Sequence, residues 1–290
     1  MRIVSVFIPI VLTTSSIVAL AQSVPSAIYT DPPTDTAHPA KMTVLHIPSH
    51  GLLINGLVYQ PSGAGSHPTV VICHGLPGNE KNLDLAQALR RAGWNAVTFN
   101  YRGSWGSPGN FRFAQNLEDA AAVLAYLRNP ANAQTLGIDV QRIALIGHSM
   151  GGWVVAHTAA NDHALIGVVM ISAADFGRMG GMPRDALTKV MADDMESLNG
   201  VTAESMADEL RANGKSFLFE NAVDGLVQMP LLALTSDDGL ASHTNALVKA
   251  IEAKGGHKTT SLHFATDHSW SDRRITLESE IIKWLNGLPS

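Results

Sequence analysis

The sequence predicts an α/β fold: a mostly parallel, eight-stranded sheet with helices on both faces and a small helical cap inserted late in the chain. Three observations lead there. Short apolar runs alternate with segments of helical periodicity along residues 41–290. One of these runs, Ile143 to Ile146, passes through Gly147-His148-Ser149-Met150-Gly151 directly into a second apolar pattern at Trp153 to Ala156. The rhythm then fails between 173 and 229, a stretch too long for a simple connection.

Taken in order, residues 1–21 read as a secretory signal. Arg2 gives the positive start, Ile3 to Leu12 the apolar core, and Ala19-Leu20-Ala21 an A-x-A cleavage site. Thr13, Thr14, Ser15 and Ser16 interrupt the apolar run, which argues against a stable membrane span. The mature chain is therefore expected to be secreted or periplasmic, without stable membrane insertion. Residues 22–40, rich in Ser, Pro, Thr and Asp, read as a flexible leader. The core is expected in two parts, 41–172 and 230–290, around a cap at 173–229.

Segments 42–47 and 52–59 alternate weakly and suit a hairpin at a sheet edge. Residues 69–73 form a continuous apolar run, which suits a strand buried on both faces. A helix follows, with Leu83, Leu85, Ala86, Leu89 and Ala92 expected inside and Gly93 as its stop. The next strand is 96–99. Leu117, Ala120, Ala121, Leu124 and Leu127 share one helical face that ends before Asn129-Pro130. Strands at 143–146, 166–171, 230–234 and 261–265 follow, with helices from Gly151, at 245–254 and at 273–288. Within the cap, 186–198 and 203–212 look helical. Its methionines (Met179, Met182, Met191, Met195, Met206, Met229) suit either a deformable binding wall or plain packing.

Composition removes several function classes. The formal net charge is −5 and no basic stripe is present, so nucleic acid is not an expected partner. Cys73 is the only cysteine, so no internal disulfide can form, and its place at the end of an apolar run reads as a buried small hydrophobe. The histidines show no metal-ligand spacing, and neither metal nor cofactor is expected.

The chemistry centres on Ser149. A strand turning at once into a helix leaves the middle residue of G-x-S-x-G on a strained bend, its side chain projecting. A hydroxyl there needs a base, and the base needs a carboxylate to fix its tautomer. Strand ends offer Ser236-Asp237-Asp238-Gly239 and Thr266-Asp267-His268-Ser269. His268 is preferred to His263, which falls inside the last expected strand, and Asp238 to Asp237, because it sits deeper in the turn. His148 reads as packing or as support behind the site. The expected oxyanion donors are the N–H groups of Met150 and Leu76. Tyr101 and Trp105 are expected to line the acyl pocket, while Arg102 either binds a substrate carboxylate or, the preferred reading, pairs with an acid such as Asp119 and holds its loop.

His74-Gly75-Leu76-Pro77-Gly78, Tyr101-Arg102-Gly103 with Gly106, Gly147 to Gly152, Asp238 and His268 together resemble the α/β-hydrolase superfamily. Within it the chain is similar to the dienelactone-hydrolase-like and prolyl-oligopeptidase-like serine hydrolases. The resemblance implies two-step acyl transfer through an acyl-Ser149 intermediate, released by water that His268 activates. It also marks a departure: the acid turn reads Ser-Asp-Asp-Gly, where relatives often carry Gly before the acid and Pro after it. Large prolyl-oligopeptidase-type enzymes carry an N-terminal propeller, for which the leader leaves no room. The expected activity is ester hydrolysis on small or medium acyl groups. The alternatives are a short-peptide hydrolase with the same residues, or a binding protein on the same fold, which would need a broken triad.

Overall fold

Apolar, β-branched runs without polar alternation belong in the middle of a sheet, covered on both sides. The computed structural model, which describes residues 24–289, places them there. The sheet has eight strands: β1 (Lys41–Ser49), β2 (Leu52–Gln60), β3 (His67–Cys73), β4 (Asn95–Phe99), β5 (Ile138–His148), β6 (Gly167–Ile171), β7 (Leu231–Thr235) and β8 (Thr259–His263). Their spatial order is β1-β2-β4-β3-β5-β6-β7-β8. Pairing is antiparallel from β1 to β2 and from β2 to β4, and parallel across the rest.

Helices cover both faces. On one, α1 (Leu83–Arg91) and α10 (Arg274–Asn286) bury Leu85, Leu89, Leu277 and Ile281 against Val70, Ala144 and Val169. On the other, α2 (Phe113–Arg128), α4 (Met150–Asn161) and α9 (Ala241–Ala253) pack Leu124, Val154 and Ile251 over Val71, Leu145 and Val168. Each fully buried side chain of this size contributes roughly 1.5–3 kcal/mol. Because the strands from β3 onward run parallel, the segments that leave their C-terminal ends gather along one rim.

Several boundaries differ from expectation for local reasons. The helix ends before Pro130 as predicted, yet α3 (Pro130–Leu136) starts at once, because Pro suits the first helical position and the Asn129 side chain accepts the Ala131 and Asn132 N–H groups. The last strand lies two residues earlier than expected, so His263 ends it. Between β6 and β7 the chain carries α5 (Phe176–Gly180), α6 (Arg184–Ala192), α7 (Ala203–Asn213), a 3-10 turn (Phe219–Ala222) and α8 (Val223–Leu226). The helix expected over 186–198 stops at Ala192, and residues 193–200 instead follow the loop after β4. Met191, Met206 and Met229 are buried in the core, while Met179, Met182 and Met195 pack against it partly covered.

The predicted signal, residues 1–21, lies outside the described residues. Part of the expected flexible leader is tied down: a 3-10 turn at Ser26–Ile28 docks where Arg91 Nε donates to the Ala27 carbonyl at 2.5 Å. Among the described residues, no helix is long and apolar enough to cross a membrane.

Candidate active site

Ser149 stands between β5 and α4 at φ 56° and ψ −117°, a conformation costing a non-glycine residue on the order of 1–3 kcal/mol. Its backbone is clamped: Ser149 N–H donates to Ile171 O at 2.9 Å, and its carbonyl accepts from Gly152 N (3.0 Å) and Ala174 N (3.2 Å). The flanking glycines have no alternative. A Cβ on Gly151 would stand 1.9 Å from the Cys73 carbonyl oxygen, and one on Gly147 2.1 Å from the Gly151 oxygen.

The loop after β3 lies against the serine, so that a Cβ on Gly75 would fall 3.6 Å from Ser149 Oγ. The N–H groups of Leu76 and Met150, on the two segments that meet at Ser149, find no acceptor among the described residues. His74 secures this loop from behind. Its Nδ1–H donates to Gly75 O at 2.8 Å, and burial pushes the imidazole down to about 4, so it stays neutral.

Tyr101 is fully buried, against the expectation that it lines an acyl pocket. Its hydroxyl donates to the His74 carbonyl at 3.3 Å, so it braces the loop and offers no wall to a ligand. Trp105, also expected in that wall, is 37% exposed and ties three segments together. Its Nε1–H donates to Pro77 O at 2.7 Å, and its backbone N–H to Ser197 O at 3.0 Å. Arg102 binds Asp119 as expected, with Nε–H to Oδ1 at 2.6 Å and backbone N–H to Oδ2 at 2.9 Å.

Across the rim, the structure brings His268 and Asp238 together, Nδ1 to Oδ2 at 2.7 Å. The Asp238 side chain is only 4% exposed. Burial works to raise its pKa, but the bond from His268, the Leu240 N–H and the His268 charge outweigh it and hold the carboxyl at about 2. Asp237 turns outward and meets Nε2 of His263 at 3.0 Å in an exposed pair. His148 donates from Nε2 to the His268 carbonyl at 2.8 Å, and the two ring centres are 4.8 Å apart. Burial and the neighbouring His268 charge push His148 down to about 4.

Sequence reasoning missed several supports. Trp270, fully buried at φ 60°, donates from Nε1 to Ser172 Oγ at 3.0 Å, and Ser172 in turn meets Ser236 Oγ at 2.7 Å. Arg274 donates to the Ser269 carbonyl at 3.2 Å while holding Asp84 with two further bonds. Asp194, from the segment after α6, is pushed up to about 6 by burial, then by Asp193 and Glu196, with His268 pulling it back. Among the described residues, no group of three or more His, Cys, Asp or Glu side chains is arranged to hold a metal.

A family model described as the alpha/beta hydrolase family matches residues 70–273. An uncharacterized 31.7 kDa protein of Escherichia coli is 39% identical over 107 residues, 35% of this chain and 36% of that one. The chain thus aligns with little more than a third of that relative's length. A thermophilic carboxylesterase cloned from a metagenomic library has a similar structure, with a TM-score of 0.66 at 22% identity, covering 91% of this chain and 93% of the other. An acylaminoacyl peptidase of Pyrococcus horikoshii gives a TM-score of 0.68 at 16% identity, over 85% of this chain and 41% of that one.

Proposed function

The chain belongs to the alpha/beta hydrolase family, and we propose that it is an exported serine hydrolase that cleaves carboxylic esters through Ser149, His268 and Asp238. Export rests on the signal read in residues 1–21. The catalytic reading is carried by one observation: two strand-end loops meet so that the almost covered Asp238 carboxylate grips His268 Nδ1 at 2.7 Å. That contact fixes the tautomer, leaving Nε2 free to accept a proton.

In the first step Ser149 Oγ bonds to the acyl carbon while its proton passes to His268 Nε2. The carbonyl electrons move onto oxygen, which the Leu76 and Met150 N–H groups receive. Collapse breaks the bond to the alkoxy oxygen, and the leaving alcohol takes the proton from His268. Water then attacks the acyl-serine, gives its proton to His268, and the acid departs as Ser149 regains its hydrogen. Asp238 stays ionised throughout and stabilises the imidazolium.

A short-peptide hydrolase would use the same groups on an amide. Labelling with a fluorophosphonate, run beside p-nitrophenyl esters and aminoacyl-anilides, tests both parts. The expected result is a covalent adduct at Ser149, absent from Ser149→Ala, and higher kcat/KM on the esters. Higher kcat/KM on the anilides would favour the peptidase, and labelling elsewhere would remove the serine assignment.

A further inference from the structure

A cavity of about 240 Å³ opens beside the loop after β3. Strand register explains its floor. Val44 stands opposite Leu57, Leu57 opposite Thr98, and Thr98 opposite Ile72, one row across four strands on the face that α1 and α10 cover. Helix α1 begins only at Leu83, which lines the cavity, so this row lies at the end of its cover. Val44 remains 59% exposed and Leu83 42%, a large apolar surface for two neighbouring positions.

The other end of the cavity is polar. Lys81 Nζ donates to Asn100 Oδ1 at 3.0 Å and lies 4.1 Å from the centre of the Trp105 ring. An ammonium has three hydrogens, and among the described residues the partners of this one are the neutral Asn100 oxygen and the Trp105 ring, with no ion pair. Half-burial holds Lys81 below its usual range, as expected for a cation that has lost water without gaining an anion. His74, which precedes Gly75 and Leu76, closes the wall on the side of the candidate active site.

We propose that this cavity is a second ligand site, binding a short-chain aliphatic carboxylate with its head on Lys81 and its tail along Val44, Leu57 and Leu83. The charge left unpaired on Lys81 asks for an anion, and the apolar row asks for an alkyl chain in place of a compact ion such as phosphate. The site is small beside the roughly 300–1,000 Å³ of drug-sized pockets, which sets the chain length as short. The proposal requires no turnover and stands whether or not the ester reading holds.

Isothermal titration of the whole protein with hexanoate, hexylamine and hexanol tests it. Hexanoate is expected to bind saturably at one site with a millimolar Kd, hexanol more weakly, and hexylamine not at all. Lys81→Met should weaken hexanoate at least tenfold. Val44→Glu, at an exposed position, should do the same by setting a carboxylate beside the tail. Absence of hexanoate binding, equal binding of hexylamine, or hexanoate binding that both variants leave unchanged would overturn the proposal.

Discussion

Asp237 and Asp238 are neighbours that do different things. Asp238 is covered, accepts the Leu240 N–H at 2.9 Å and holds His268, whereas Asp237 reaches outward to His263. Asp238→Asn is therefore expected to lower kcat about 10²- to 10⁴-fold, since an amide can present the wrong hydrogen-bonding group to the imidazole. Asp237→Asn removes an exposed pair worth at most about 1 kcal/mol and should leave kcat near that of the unchanged protein. Steady-state kinetics on one ester decide it, and the reverse ordering would reassign the acid. Ser149 is legible in the sequence because it directly follows a buried apolar run, which fixes it at the end of β5, whereas His268 is legible only as a histidine in the loop past the last strand, since β8 ends at His263. The choice between two adjacent carboxylates is less legible, since it depends on which way a turn faces. Asp194 gives no such signal at all: it falls within the stretch expected as helix over 186–198, and nothing in that pattern shows that the chain leaves the helix at Ala192.

The elements around the rim act on one another through Trp105. Its indole N–H holds Pro77 in the loop after β3, while Ser197, from the segment after α6, donates to the same carbonyl at 3.1 Å. Trp105→Phe keeps the ring over Lys81 but loses the bond to Pro77. One neutral hydrogen bond is worth about 0.5–1.5 kcal/mol, so a 2- to 10-fold fall in kcat is expected, with little change in KM. A rise in KM alone would mean that the ring binds substrate instead of positioning the loop. The order and type of the sheet elements are legible from periodicity, as is the loop after β4 bordering the site. The roles within that loop are not. Aromatic residues beside a strand end look like pocket wall, and only packing shows that Tyr101 and Trp105 fasten the loop that carries Leu76. The stretch after α6 is similarly opaque, because the helical pattern continues past Ala192 while the chain is drawn away by bonds such as Asn199 N–H to Gly103 O at 2.8 Å.

At the scale of the whole molecule, buried titratable groups oppose one another across the pH range. His74 and His148 are held at about 4, whereas an unfolded histidine titrates near 6.5. Between those values the unfolded chain binds more protons, so acidification through that window costs stability. Glu278 acts in the opposite sense. It is 6% exposed at the contact of α1 and α10, and burial first, then Asp84, push it to about 7 against the pull of Arg274 and Arg91. An unfolded glutamate titrates near 4.3, so here the folded chain binds the extra proton, and stability falls as pH rises from about 4 through 7. Glu278→Gln keeps the shape and the hydrogen-bonding capacity while removing that titration. It should match the unchanged protein at about pH 4 and exceed it at pH 8 by about 1–2 kcal/mol, or a few degrees in Tm. Thermal unfolding of both proteins from pH 4 to 9 gives the answer: parallel curves would mean that the carboxyl ionises freely in the folded chain. The same cluster reaches the candidate site, because Arg274 spans Asp84 and the Ser269 carbonyl beside His268. The variant should therefore also show whether turnover at alkaline pH is limited by the fold or by the site.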